Sequence, residues 1–160
     1  MSKNYVRAIV GASICVASLL ILIRCFLVPK QVTDNDLRLL YMAHKADFEL
    51  LRQMFLGDAA KSRWQNFTVV PTDKVAASQE GIEAGRLEAY QELMKRLQVI
   101  SLHGDKYYVH FIVRVVGWSA DGRRQGLAWR GKPLPEGEQA NGTSRFVHIE
   151  NGWYIFDSHQ

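Results

Sequence analysis

Cysteine is nearly missing from this chain: 160 residues contain two, Cys15 and Cys25, and both fall in the apolar N-terminal stretch. The rest of the sequence therefore holds no disulfide and no cysteine-based metal site, and cysteine usage does not report the redox compartment. Acidic residues are missing before Asp34. Of the 20 basic residues, Lys3, Arg7, Arg24 and Lys30 lie in that acid-free segment, so 16 acids and 16 bases share the remainder. The formal charge of +4 thus belongs to the N-terminal flanks, and the rest of the chain is neutral. A nucleic-acid footprint needs a concentrated basic face, which excludes nucleic acid as the expected partner. Glycine-rich nucleotide loops, a nucleophile elbow and a His-Glu-x-x-His helix are also missing. No cofactor and no metal are expected.

What is present begins with a charged tip, Ser2–Arg7, followed by the uncharged run Ala8–Ile23. With Arg24 snorkelling, a helix over Val6–Val28 would be about 34 Å long, enough to cross a bilayer. A cleaved signal peptide and a lipoprotein are the rival readings. Against the first, no A-x-A-like site follows the run; against the second, Arg24 directly precedes Cys25. Lys3 and Arg7 favour a cytoplasmic N-terminus, although Arg24, Lys30 and Arg38 weigh on the other flank. The expected layout is a membrane anchor at 1–29, a linker at 30–36 and an α+β domain at 37–160. It places a single-pass protein in a bacterial inner membrane, with the domain in the periplasm and residues 6–28 in the lipid bilayer.

After the linker, Thr33 or Asp34 can cap a helix running to about Leu56, with Gly57 as its stop. Leu37, Leu40, Tyr41, His44, Phe48, Leu51 and Phe55 give it one apolar face, on which His44 reads as a packed residue rather than a ligand. Phe67–Val70 is a short extended segment. A second helix is expected over Ser78–Leu97, with Ser78 as its cap and the Gly81/Gly85 pair as tolerated weak points.

From Leu97 onward the pattern has period two. Strands are expected at Gln98–His103, Tyr107–Trp118, Gln125–Arg130, Thr143–Glu150 and Trp153–Asp157. The long strand has an apolar row of Tyr107, Val109, Phe111, Val113 and Val115. Its other row, Tyr108 to Trp118, is mixed and should be part-exposed or line a cleft. Asn151-Gly152 is a strong hairpin signal; a two-residue turn pairs Glu150 with Trp153, Ile149 with Tyr154 and Val147 with Phe156. Val147, Ile149, Tyr154 and Phe156 would then face the core, and Phe146, His148, Trp153, Ile155 and Asp157 the other side. The fold class is α+β, with two helices packed on a four- to five-stranded antiparallel curved sheet. Its element order looks like that of the cystatin-like and nuclear-transport-factor-like folds.

The mixed face supplies the candidate site. His110, Arg114 and Trp118 on the long strand would join His148, Trp153 and Asp157 from the hairpin, with Trp129 beside the loop Gly131–Gly142. This set reads as a protein-binding surface. An Asp157–His148 contact would also permit a general base, or a metal held with His110, but the spacing is diagnostic of neither. The cluster Arg123, Arg124, Arg130 and Lys132 adds positive charge beside that loop, which makes a recognition surface for a protein or an anionic polymer.

The segments GRLEAYQELMKRL (Gly85–Leu97), QGLAW (Gln125–Trp129) and RFVHIENGWYIF (Arg145–Phe156) resemble a group of small, membrane-anchored bacterial envelope proteins. That resemblance implies a localisation and no activity. The expectation is a non-catalytic, membrane-anchored interaction domain, such as an inhibitor or immunity-type binder. The alternatives are a structural subunit of an envelope assembly, similar in layout to the bitopic subunit of type IV secretion systems, and a small hydrolase using the mixed face.

Overall fold

The computed structural model describes residues 32–62, 66–73, 78, 81–116, 122–134, 140–141 and 143–159. The expected anchor at 1–29 lies outside them, as does Trp118; no helix among the described residues is long and apolar enough to cross a membrane. The described chain is α+β. In order it runs α1 (Asp34–Ala43), α2 (Lys45–Ala59), β1 (Phe67–Val69), α3 (Ala84–Arg96), β2 (Ser101–Gly104), β3 (Tyr108–Val116), β4 (Arg123–Arg130), β5 (Ala140–Asn141), β6 (Ser144–Glu150) and β7 (Trp153–His159). All strands pair antiparallel in one sheet of order β1-β2-β3-β4-β7-β6-β5.

α1 starts at the expected cap: Thr33 and Asp36 form a reciprocal capping box in which Asp36 N donates to Thr33 Oγ1 at 3.2 Å and Thr33 N donates to Asp36 Oδ2 at 2.9 Å. The helices differ from expectation in three later places. The expected single first helix is two helices. His44 leaves the helical region with φ −127° and ψ 27°, its N–H closing α1 on Leu40 and Tyr41 while its carbonyl starts α2 on Phe48. The chain bends there, and Leu37, Tyr41, Phe48, Leu51 and Phe55 all reach the core. Gly57 does not stop α2, since with ordinary helical dihedrals it only weakens the helix. The third helix starts six residues later than expected, because Gly81 at φ +76° cannot continue a helix from Ser78.

α3 ends in a Schellman turn. Val99 N donates to Met94 O at 2.8 Å and Gln98 N to Lys95 O, with Gln98 itself left-handed at φ 56°. This reversal aims Val99 into the core and launches β2. The Asp58 carboxylate ties α2 to α3, accepting from Arg86 Nε and Tyr90 OH, each at 2.8 Å.

The sheet has two apolar faces. Facing the helices are Phe67, Val69, Leu102, Val109, Phe111, Leu127, Trp153 and Ile155, all buried against Leu37, Tyr41, Phe48, Leu51, Phe55, Tyr90 and Met94. Trp153 is central: its ring lies 5.0 Å from Tyr41 and 5.2 Å from Phe111, and its Nε1 donates to Glu49 Oε1 at 2.8 Å. On the outer face Ile112, Ala128, Tyr154 and Phe156 make a smaller cluster with Phe146, covered in part by Leu134.

This arrangement reverses the expected assignment of β7. Glu150 does oppose Trp153, but Ile149 is a bulge, so Tyr154 opposes His148, Ile155 opposes Val147 and Phe156 opposes Phe146. One extra residue flips every later side chain relative to β6. Trp153, Ile155 and Asp157 therefore lie on the helix side, with Tyr154 and Phe156 on the outer side. β3 carries a second bulge between Ile112 and Arg114. Val109 and Phe111 are fully buried as expected, whereas Tyr107 and Val115 at the ends of the same row are exposed.

Candidate recognition surface

The outer face places one row of residues across the sheet. Thr68 pairs with His103, His103 with His110, His110 with Ala128, Ala128 with Tyr154 and Tyr154 with His148. Aromatic rings fill the neighbouring positions. His110 stacks on Phe156 at 4.7 Å and lies 5.3 Å from Tyr108 and 6.0 Å from Phe146. His148 meets Tyr154 edge to face at 5.2 Å. His110 Nε2 is buried and has no hydrogen-bond partner among the described residues. Burial foremost, then the nearby His103, Arg130 and Arg124, holds the His110 pKa down at about 4, so the ring is neutral at ordinary pH. Burial and Arg124 shift His103 downward as well, and its Nδ1 lies 3.0 Å from Thr68 Oγ1.

At one end of this face the β2–β3 turn and the chain after β4 enclose a cleft of about 580 Å³, open to one side. The turn is built locally: Asp105 Oδ1 accepts from Tyr107 N at 2.6 Å and Tyr108 N at 3.1 Å, and Gly131 N donates to Tyr107 O at 2.9 Å. A side chain at Gly131 would press on the Trp129 ring, so glycine lets the loop lie against the indole. The cleft is lined by Lys106, Tyr107, Tyr108, Trp129, Arg130 and Lys132, closed beneath by Leu134. Cations already stand over its rings: Lys106 Nζ is 5.1 Å from the Tyr107 centroid, and Arg130 Cζ is 5.5 Å from Tyr108 and 5.9 Å from Phe146. From α2, Arg52 lies 4.4 Å over Trp129 and donates to Glu49, the same carboxylate that holds Trp153. The core thereby fixes the orientation of the cleft's indole.

The residues expected to form one site are divided by the fold. His110 and His148 share the outer face, separated by Ala128 and Tyr154 in the row. Trp129 is half-buried and lines the cleft. Arg114, half-buried, pairs opposite Gln125 after the bulge. Trp153 is fully buried and Asp157 is 7% exposed, both on the helix side, where neither can meet a partner. The expected Asp157–His148 contact does not form, because the Ile149 bulge sends the two side chains to opposite faces. Asp157 instead accepts from Arg123 through two bonds and from Gln125 Nε2 at 3.3 Å, and Arg123 foremost lowers its pKa. Arg145 forks onto Asp34 at 2.7 and 2.9 Å, tying β6 to the start of α1. No group of three or more potential metal ligands occurs among the described residues.

The basic cluster is divided in the same way. Arg130 and Lys132 join the cleft, Arg124 lies on the outer face, and Arg123 is engaged with Asp157. Lys106, Tyr107 and Tyr108 were not singled out as binding residues from the sequence. Their signal was the register: Tyr108 pairs with Arg130, which brings the Lys-Tyr-Tyr turn against the basic end of β4. No family model, curated protein or solved structure is significantly similar to this chain.

Proposed function

We propose that this chain is a membrane-anchored protein-interaction domain of the bacterial envelope, held by residues 6–28 with its α+β domain in the periplasm. It acts as an inhibitor or immunity-type binder and not through catalysis. The observation that carries this reading is the outer sheet face: half-buried Tyr108, His110 and Phe146 without a helical layer over them among the described residues, continuous with the cationic cleft. Clustered aromatics with arginine at a surface are the composition of interface hot spots. The hydrolase reading loses its geometry, since His110, His148 and Asp157 do not converge.

The test is in-cell photo-cross-linking of the full-length protein, with the reactive group at His148 on this face or Tyr107 in the adjoining cleft, and at Ala60 as a control. Reproducible capture of one identified partner from the first two positions, lost when Tyr108→Ser is added to either cross-linking protein, is expected. Capture from Ala60 alone would overturn the assigned surface.

The element order favours a second reading. Two helices, a short strand, a third helix and then a run of antiparallel strands are similar in layout to the nuclear-transport-factor-like domain of the bitopic type IV secretion subunit. A subunit of an envelope assembly would cross-link chiefly to its own copies and to several neighbours, which the same experiment separates from a single partner.

A further inference from the structure

We infer that the segment seated in the cleft is an acidic peptide of the partner protein, its carboxylates read by Lys106, Arg130 and Lys132; this rests on the interaction reading above. Among the described residues, three cations line the cleft against a single acid, Asp105. That acid is already engaged, its Oδ1 accepting from two backbone N–H groups. The local surplus departs from residues 31–160 as a whole, where positive and negative side chains balance. Such a focused charge steers an anion to one spot without making the domain basic overall.

The rings decide among anions and neutral ligands. A sugar or a nucleobase binds an aromatic site by stacking on an open ring face. Here Tyr107 carries Lys106, Tyr108 carries Arg130 and Trp129 carries Arg52, so each ring has one face occupied by a cation. The rings hold the cations in place, and a pre-positioned guanidinium loses less freedom when it takes a carboxylate. Tyr107, 63% exposed, and Leu134 at the base leave apolar surface for a side chain beside the acids. A cleft of about 580 Å³ is within the range that accommodates a short segment.

The experiment uses the full-length protein in detergent micelles and fluorescence anisotropy of a labelled Glu-rich peptide containing leucine. Its probes for comparison are the same peptide with Gln for Glu, a neutral oligosaccharide and inorganic polyphosphate. The Glu peptide should bind at least about tenfold more tightly than its Gln counterpart, and the affinity should fall as salt rises. Lys106→Glu/Lys132→Glu, at two exposed positions, should weaken it by about tenfold while leaving the thermal midpoint unchanged. Equal affinity for the Gln peptide, unchanged binding by the variant, or preference for the sugar or polyphosphate would overturn the inference. The in-cell cross-link run with the same variant distinguishes the two failures. Partner capture that survives charge reversal leaves the interaction reading standing without its acidic ligand, and no capture by the wild type removes both.

Discussion

Trp153 shows how much one side chain is worth here. It touches Tyr41, Phe48 and Phe111, is fully buried, and satisfies Glu49 with its indole N–H. Trp153→Ala should cost about 3–5 kcal/mol, read as a lowered urea midpoint at an unchanged slope. The same change leaves Glu49, Arg52 and Trp129 without their anchor, so cleft binding should weaken alongside stability. His110 gives a second test at this scale. Its folded pKa of about 4 lies below the ordinary 6.5, so the unfolded chain takes up the proton first. The stability this residue contributes is complete above pH 6.5 and declines as pH falls towards 4, by at most about 3 kcal/mol. His103 shifts the same way, and Asp157, held low by Arg123, adds its own loss only below its unfolded value of 3.8. Denaturation at pH 7 and pH 5 should show a smaller difference for His110→Phe than for the wild type, and the His110 ring proton should not titrate between those values. A ring titrating near 6.5 would contradict the buried, stacked placement.

At the scale of elements, two features set which side chain faces where. The first is the Ile149 bulge, which rotates β7 and exchanges the two faces. The second is Gly126, which pairs with Ile112 beside the β3 bulge, where a Cβ would collide with the Phe111 carbonyl. Gly126→Ala forces β3 and β4 apart at the centre of the sheet. It should lower the thermal midpoint by about 10 °C, the shift expected from a loss of about 2–3 kcal/mol in a domain of this size. Melting followed by circular dichroism checks it. Periodicity foresaw most of the elements themselves. Val109 and Phe111 on β3, Tyr90 and Leu93 on α3, and Leu37, Tyr41, Phe48, Leu51 and Phe55 on α1–α2 are buried as their spacing requires. The break at His44 had no such signal, because apolar spacing continues unbroken through it and only tertiary packing bends the chain there.

For the whole molecule, the proposal joins an anchor to a recognition surface. Full-length protein should remain with membranes through alkaline carbonate extraction, and external protease should reach the α+β domain only once the outer membrane is permeable. Release by carbonate would remove the bilayer from the proposed partners. Cleavage of the intact inner membrane's proteins from the cytoplasmic side alone would reverse the proposed orientation.

The sequence by itself determined the class of the fold, its strand-rich second half, the neutral charge of residues 31–160 and the outlier chemistry of the first 30 residues. These follow from composition and from periods of two and 3.6, which act over a few neighbouring residues. It also placed Trp129, Arg130 and Lys132 together, because they are adjacent in the chain. Only the tertiary structure decided that Trp153 and Asp157 lie inside and that Tyr107, Tyr108 and Lys106 complete the cleft. The physical reason is register. Alternation fixes which residues share a face within one strand, but a single bulge between strands reverses that assignment for everything after it, and no local pattern announces the bulge.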